Sequence, residues 1–203
     1  NNVLKSVFLP PGETKAVIPE GVTRIGEYAF GTHEFADCTS LTTIIIPSTV
    51  KSIGAYAFSD CTGLTTIEIP SSVKIIDDYA FSDCTSLSTI DIPSSVKIIG
   101  EYAFQDCTSL TTADISDGVE KIGGWAFAFC KNLITVDIPS SVKIIGKDAF
   151  SYCVSLASIS IPAGHINNIS DLGIDAECNV TIRALSSQPR IEDSLQAVVR
   201  LSP

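Results

Sequence analysis

The apolar positions of this chain recur every 23 residues. The dipeptide Ile-Pro begins at residues 18, 46, 69, 92, 138 and 161, and Ile115-Ser116 fills the gap in the series. From residue 46 onwards the spacing is 23 residues, whereas the first interval is 28 residues and carries five additional residues at 31–35. A fixed period of this size predicts a repeat architecture in which each copy is one structural unit.

Each copy predicts one short β-strand. In the pattern LxxIxIPxxVxxIGxxAFxxCxxL, apolar residues alternate before the proline, so their side chains point alternately into and out of a core. Pro70 and its equivalents end the strand because proline cannot donate to a ladder. After Val73 the pattern loosens, which we interpret as a turn or irregular flank. Each copy is then one coil, whose strand stacks parallel on the next about 4.8 Å away and whose neighbours complete its core.

The joint pattern of IP, IG, AF, C and L, as in IPSSVKIIGEYAFQDCTSL, resembles the leucine-rich repeats of the BspA-like surface proteins of bacteria and some protists. The resemblance covers residues 18–162, about seven copies. It implies an α/β-type repeat solenoid, namely a right-handed leucine-rich-repeat solenoid with a parallel β-sheet on its concave face and irregular or turn flanks. It also implies an extracellular or cell-surface location, a role in adhesion or protein binding, and no catalytic motif.

The two ends differ from the repeats. Residues 1–17 contain strand-like apolar positions around Pro10 to Glu13, which predict an N-terminal capping β-hairpin. Residues 18–162 form the repeats, and residues 163–203 form a C-terminal cap. Within that cap, Asn179 to Arg183 predict one more strand. The apolar spacing of its last residues favours a helix over 190–201.

Composition and charge restrict the partners. The chain has 203 residues, 45% of them hydrophobic, so it folds densely, yet no window approaches the length of a transmembrane helix. Thirteen Lys and Arg residues against 23 Asp and Glu residues give a formal charge of −10. This charge argues against nucleic acid or an anionic lipid surface and favours a cation or a basic protein surface.

Residues at one offset of the repeat form a column along a solenoid, and cysteine fills one such column. Its members are Cys38, Cys61, Cys84, Cys107, Cys130 and Cys153. We expect these thiols to be reduced and buried, acting as small hydrophobic side chains. Pairing of some of them is the alternative. A zinc site is disfavoured because ligands in a line do not converge tetrahedrally.

Two columns are aromatic. The first follows Ala in every copy and predicts an internal stack of rings; it consists of Phe30, Phe58, Phe81, Phe104, Phe127 and Phe150. The second is expected to lie half exposed on a flank; it consists of Tyr28, Tyr56, Tyr79, Tyr102, Trp125 and Asp148. We interpret the second column as structural, with a partner-binding surface as the alternative.

The outward strand positions supply the candidate binding residues. On the expected concave face these residues are Thr66, Glu68, Thr89, Asp91, Thr112, Asp114, Thr135 and Asp137. Cross-strand Thr pairs stabilise a sheet, whereas carboxylates about 5 Å apart repel each other. The acidic column has three interpretations: a solubility device, a recognition surface for a basic partner, or a calcium site, which would need six or more ligands.

The sequence holds no constellation typical of an enzyme. Its two histidines, His33 and His165, lie at opposite ends of the predicted rod, and Cys38 near His33 has no visible activating context. We therefore predict no catalytic, cofactor-binding or metal-binding residues and no cofactor. The expected function is recognition of a protein or glycan on the concave face or the aromatic flank, as a monomer or within a hetero-assembly. A structural scaffold subunit is the alternative.

Overall fold

The computed structural model describes residues 2–7, 9–10, 12–30, 38–174, 178–183 and 197–199. In these residues the chain forms short strands and one 3-10 helical segment, Ala163–Leu172. The strands are β1 Val3–Leu4, β2 Lys15–Val17, β3 Arg24–Ile25, β4 Thr43–Ile45, β5 Ser52–Ile53, β6 Thr66–Ile67, β7 Ile75–Ile76, β8 Thr89–Ile92, β9 Ile98–Ile99, β10 Thr112–Ile115, β11 Lys121–Ile122, β12 Thr135–Asp137, β13 Ile144–Ile145, β14 Ser158–Pro162, β15 Asn179–Arg183 and β16 Ala197–Val199. No helix in this described part reaches the length and hydrophobicity needed to cross a bilayer.

The strands predicted from the Ile-Pro pattern form the main sheet. It has two hydrogen-bonded parts, β2-β4-β6 and β8-β10-β12-β14-β15-β16, with β6 lying beside β8. Strands β2 to β15 run parallel within these parts, and β16 pairs antiparallel with β15. The predicted parallel solenoid is therefore confirmed, and so is the strand at Asn179–Arg183.

A second sheet runs along the segment that the sequence predicted as a turn or irregular flank. It has seven parallel strands in the order β1-β3-β5-β7-β9-β11-β13, each of two residues. In β7 only Ile76 is buried, while Ile75 is exposed. A strand with one inward residue shows no alternation of apolar and polar residues, so the sequence of a single repeat does not predict it. Its hydrogen bonds are made with the neighbouring coils.

Both predictions for the termini need correction. Strand β1 pairs with β3 in the second sheet, and β2 pairs with β4 in the main sheet, so residues 1–17 add one strand to each sheet instead of forming a hairpin. The helix predicted over 190–201 is wrong at Ala197–Val199, which form strand β16, because pairing with the open edge of β15 satisfies their backbone groups. Its other residues lie outside the described ones.

The core lies between the two sheets and is built from columns. The six Phe side chains of the internal column are at most 1% exposed, and their rings stack with centroids 5.1 to 5.5 Å apart. This distance is close to the strand spacing, so each ring packs on its equivalents in the coils above and below. The predicted aromatic stack is confirmed.

Close stacking of the coils also requires glycine. A Cβ atom added at Gly100 would lie 2.5 Å from the carbonyl carbon of Asp77 and from the amide nitrogen of Asp78. These are backbone atoms of the preceding coil, which cannot move aside without breaking the ladder. Gly100 therefore marks a point of closest approach between coils.

The cysteine column is only partly as predicted. Cys84, Cys107, Cys130 and Cys153 are buried thiols, and each S–H donates to the carbonyl oxygen of a Phe residue one coil earlier. Cys38 and Cys61, however, form a disulfide. The prediction of reduced thiols is wrong for this pair, because stacking in register brings their Cα atoms to 4.9 Å, within the range that a disulfide spans.

Truncating one ring of the internal stack should destabilise the protein strongly. We expect Phe104→Ala to lower the free energy of unfolding by about 3–5 kcal/mol, since it removes a fully buried ring. Ser71→Ala, at an exposed turn position, should change it by less than about 0.5 kcal/mol. Urea denaturation measures both values. Equal effects would contradict the placement of the Phe column.

The buried thiols should be unreactive in the native protein. Burial raises the pKa of Cys84, Cys107 and Cys130, so little thiolate forms and reagents have no access. We expect iodoacetamide at mildly alkaline pH to label these residues only after denaturation. Peptide mapping without reduction should recover Cys38 linked to Cys61. Rapid labelling of Cys107 in the folded protein would contradict this arrangement.

Candidate binding surfaces

All eight predicted binding residues lie exposed on the outer face of the main sheet. Thr112 stands opposite both Thr89 and Thr135 across paired strands, and Asp91 stands opposite Asp114. The alternation of each strand turns these side chains outward while their neighbours enter the core. We call this surface, formed by the eight residues from Thr66 to Asp137, the Thr/Asp face.

The acidic column of this face has no basic counterpart on its own strands. Strands β6, β8, β10 and β12 carry no Lys or Arg residue. Among the described residues, the ion pairs do not involve Glu68, Asp91 or Asp114. Nor does any group of three or more His, Cys, Asp or Glu side chains in that part of the chain have a geometry that could hold a metal ion. The face therefore presents closely spaced negative charge to solvent.

Lys15 is exposed on strand β2 of the main sheet. The lysine column lies instead beside the second sheet, and its members are Lys51, Lys74, Lys97 and Lys143. There Glu120 takes the place of a lysine in the column, with its carboxylate 2.8 Å from Lys143 Nζ and 3.8 Å from Lys97 Nζ. The hydrogen bond and charge of Lys143 lower the pKa of Glu120. Lys97 and Lys143 are thus paired with Glu120 beside the second sheet and do not neutralise the Thr/Asp face.

The Thr/Asp face changes character toward its N-terminal end. In the column of Glu68 and the three aspartates, strands β2 and β4 carry Val17 and Ile45, which are 63% and 43% exposed. A cavity of about 360 Å³ opens between β4 and β6, bordered by Ile45 and Glu68. An apolar surface therefore adjoins the first carboxylate of the acidic column.

The flank carries a longer aromatic ladder than the sequence predicted. Tyr28, Tyr56, Tyr79 and Tyr102 stack with ring centroids 4.5 to 4.6 Å apart. The stack continues through Trp125, 6.2 Å beyond Tyr102. It then crosses to a second column through Phe129, 6.4 Å from Trp125, and ends at Tyr152. Since the ring faces cover one another, the ladder presents mainly ring edges to solvent.

The second column of the flank was missed by the sequence reasoning. It comprises the residues that precede each cysteine, namely Asp60, Asp83, Asp106, Phe129 and Tyr152. Burial, together with the nearby carboxylates of Asp106 and Asp60, raises the pKa of Asp83, and a hydrogen bond from the Ser82 hydroxyl partly opposes this effect. The repeated Asp-Cys dipeptide was a signal for the column, but the ring contact between columns needed the structure.

Both flank columns have left-handed backbones. Tyr79 has a φ of 56° and Asp83 a φ of 59°, and their equivalents in other coils are similar. Such angles are rare for residues other than glycine and costly for bulky ones. Backbone hydrogen bonds to the next coil, such as that from Tyr79 N–H to the carbonyl oxygen of Glu101, hold the conformation in place.

Of the three candidates for catalytic chemistry, the structure describes the side chain of Cys38 alone. His33 and the side chain of His165 lie outside the described residues. Cys38, which stood near His33 in sequence, is bound in the disulfide and cannot act as a thiolate nucleophile.

Sequence comparison identifies the repeat. The sequence profile described as "BspA type Leucine rich repeat region" matches residues 5–93, 31–157 and 86–188, with six copies. The chain belongs to the BspA-type leucine-rich repeat family. A comparison with curated proteins finds no significant match.

Solved structures of bacterial proteins, leucine-rich repeat proteins among them, resemble this fold. A leucine-rich cell-surface protein of Faecalibacterium prausnitzii is 31% identical, with a TM-score of 0.51, over 72% of this chain and 47% of its own. The leucine-rich repeat protein of T. pallidum is 32% identical, with a TM-score of 0.52, over 75% and 61%. The pneumococcal vaccine antigen PcpA is 26% identical, with a TM-score of 0.67, over 81% and 46%. The chain thus spans 46% to 61% of the length of these three proteins.

At a ladder tyrosine, a glycine variant should be more stable than an alanine variant, which is the reverse of the usual order. Tyr79→Gly and Tyr79→Ala both remove the ring, but only glycine adopts a positive φ without a steric cost. We expect the Gly variant to be about 1 kcal/mol more stable than the Ala variant in urea denaturation. Tyr79→Phe, which keeps the ring, should stay within about 0.5 kcal/mol of the parent. A more stable Ala variant would contradict the left-handed assignment.

Proposed function

We propose that this BspA-type chain is a non-catalytic recognition module at the cell surface or outside the cell, where its Thr/Asp face binds a protein through a basic surface. The observation that carries the proposal is the acidic column, in which Asp91 and Asp114 stand opposite each other with no basic residue on their strands. Like charges in this position cost stability. A basic partner would relieve that repulsion on binding.

Two observations support the location. The Cys38–Cys61 disulfide is typical of an oxidising compartment. The similar protein from Faecalibacterium prausnitzii is described as a cell-surface protein. Adhesion to a host or neighbouring cell is a role that this location and a binding face would serve together.

A protein ligand is favoured over a glycan by the arrangement of the aromatic rings. Rings that bind sugars by stacking need an uncovered face. In the ladder from Tyr28 to Tyr102 each ring lies parallel to its neighbours at van der Waals separation, so the inner faces are occupied. The Thr/Asp face, by contrast, offers eight exposed polar side chains to a partner.

The proposal predicts a specific loss of binding. In Asp91→Asn/Asp114→Asn, affinity for a lysine-rich peptide should fall about tenfold, since each exposed charge pair contributes up to about 1 kcal/mol. The same variant should gain a few tenths of a kcal/mol in stability because repulsion across the strands is removed. Fluorescence anisotropy and urea denaturation measure the two effects.

The control variant is Glu27→Gln/Glu101→Gln, which removes the same amount of charge at exposed positions outside the Thr/Asp face. It should retain nearly full affinity. Binding by the parent should weaken as salt is raised from about 0.1 M to about 1 M, where the Debye length falls from about 10 Å to about 3 Å. Equal losses of affinity in the two double variants would mean that the peptide responds only to net charge, and this result would overturn the proposal.

A further inference from the structure

A cavity lies on the Thr/Asp face between strands β4 and β6. Strands β4 and β6 are in register only at Thr43 with Thr66 and at Ile44 with Ile67. By contrast, β8 and β10 stay paired for four residues, through Ile92 and Ile115. The cavity of about 360 Å³ is bordered both by these paired residues, Thr43 and Thr66 among them, and by the residues that follow them on each chain.

The walls of this cavity combine apolar surface with a single carboxylate. Ile45, Ile46 and Pro70 contribute hydrocarbon, and Glu68 is the one ionisable residue among those that line it. Glu68 is exposed, and no ion pair among the described residues engages it. Val17, directly opposite Ile45 on β2, extends the exposed apolar surface on the N-terminal side.

Such a combination fits an amphipathic cation. The side chain of lysine has an aliphatic stem that gains from apolar contact and an ammonium group that seeks a carboxylate. The cavity volume of about 360 Å³ also leaves room for the five heavy atoms of that side chain. Because Glu68 is exposed, an apolar residue would gain no charge attraction from it, and an acidic residue would be repelled by it.

We infer that the cavity between β4 and β6 is a subsite for a lysine side chain of the bound protein, with the stem against Ile45 and the ammonium at Glu68. This inference rests on the proposed recognition of a basic partner and adds an anchoring position to it. The subsite sits at the N-terminal border of the acidic column, so it fixes where along the Thr/Asp face a basic segment begins. Four similar carboxylates do not by themselves define the position of a basic segment along the acidic column.

The test uses small probes on the full chain. Nα-acetyl-lysine amide is titrated into protein carrying ¹³C-labelled isoleucine δ1 methyl groups, and Nα-acetyl-norleucine amide serves as the uncharged probe of similar stem length. We expect saturable shifts at Ile45 and Ile46 with the lysine probe and shifts at least about threefold smaller with norleucine. Equal shifts with both probes, or no saturable shift at Ile45, would overturn the subsite.

Matched variants separate a contact within the cavity from a general effect of net charge on binding of the lysine probe. Glu68→Gln should weaken the lysine probe about three- to fivefold, the range expected of one exposed ion pair. Glu101→Gln removes one exposed charge outside the face and should weaken it by less than about 1.5-fold. Ile45→Thr keeps a β-branched strand residue while removing apolar contact, and it should weaken the probe at least about twofold. Equal effects of the two Glu variants would also overturn the subsite.

Failure of the subsite can be told apart from failure of the proposed function. If the lysine-rich peptide still binds and loses affinity in Asp91→Asn/Asp114→Asn while Ile45 does not shift, the face recognises basic partners without this anchor. If that double variant binds the peptide as the parent does, the proposed function itself is wrong.

Discussion

Backbone hydrogen bonds between successive coils are the interaction on which the rest of this structure depends. The N–H groups of Phe58 and Phe81 donate to the carbonyl oxygens of Ala80 and Ala103, at 2.8 Å in both cases. These bonds keep each residue in line with its equivalent one repeat later. The repeat in sequence therefore becomes a set of columns in space, and close approach at positions such as Gly100 leaves little freedom to shift the register.

Each column places side chains of the same type next to one another, and the type of side chain decides whether this contact stabilises the fold. Phe rings and thiols gain from contact with their own kind inside the core. Threonine hydroxyls are tolerated on the surface, and tyrosine rings stack along the flank even though their backbones are left-handed. Carboxylates repel one another in this arrangement. On the flank, Asp60, Asp83 and Asp106 occupy left-handed backbone positions that aspartate tolerates. Asp91 and Asp114 lie on strands, where the backbone gives no such reason for their occurrence. The acidic column of the Thr/Asp face differs in this respect from the columns that stabilise the fold.

The sequence predicted those features that repeat with strong alternation. The main strands, the inward Phe column and the outward residues from Thr66 to Asp137 all follow from a period of 23 and from Pro at strand ends. It missed the second sheet, because two-residue strands such as β7 have one buried position. It missed the Cys38–Cys61 bond, because identical offsets do not say which neighbours are oxidised. The cavity beside Ile45 depends on how side chains of β4 and β6 pack in three dimensions, and the 23-residue period does not describe that packing.

The disulfide makes the two ends of the solenoid differ in their resistance to unfolding. Because each coil contacts only its neighbours, a solenoid can fray inward from either end, one repeat at a time. The Cys38–Cys61 bond joins two successive coils near the N-terminal side and closes a loop of 23 residues, which in the chain-entropy description disfavours their separation by about 3–4 kcal/mol. Fraying that starts at β1 and β2 would stop at this bond, whereas the coils beyond Cys61 have no covalent barrier among the described residues. Partial unfolding would therefore begin in the later repeats, and the coils on either side of Ile45 would stay folded longest.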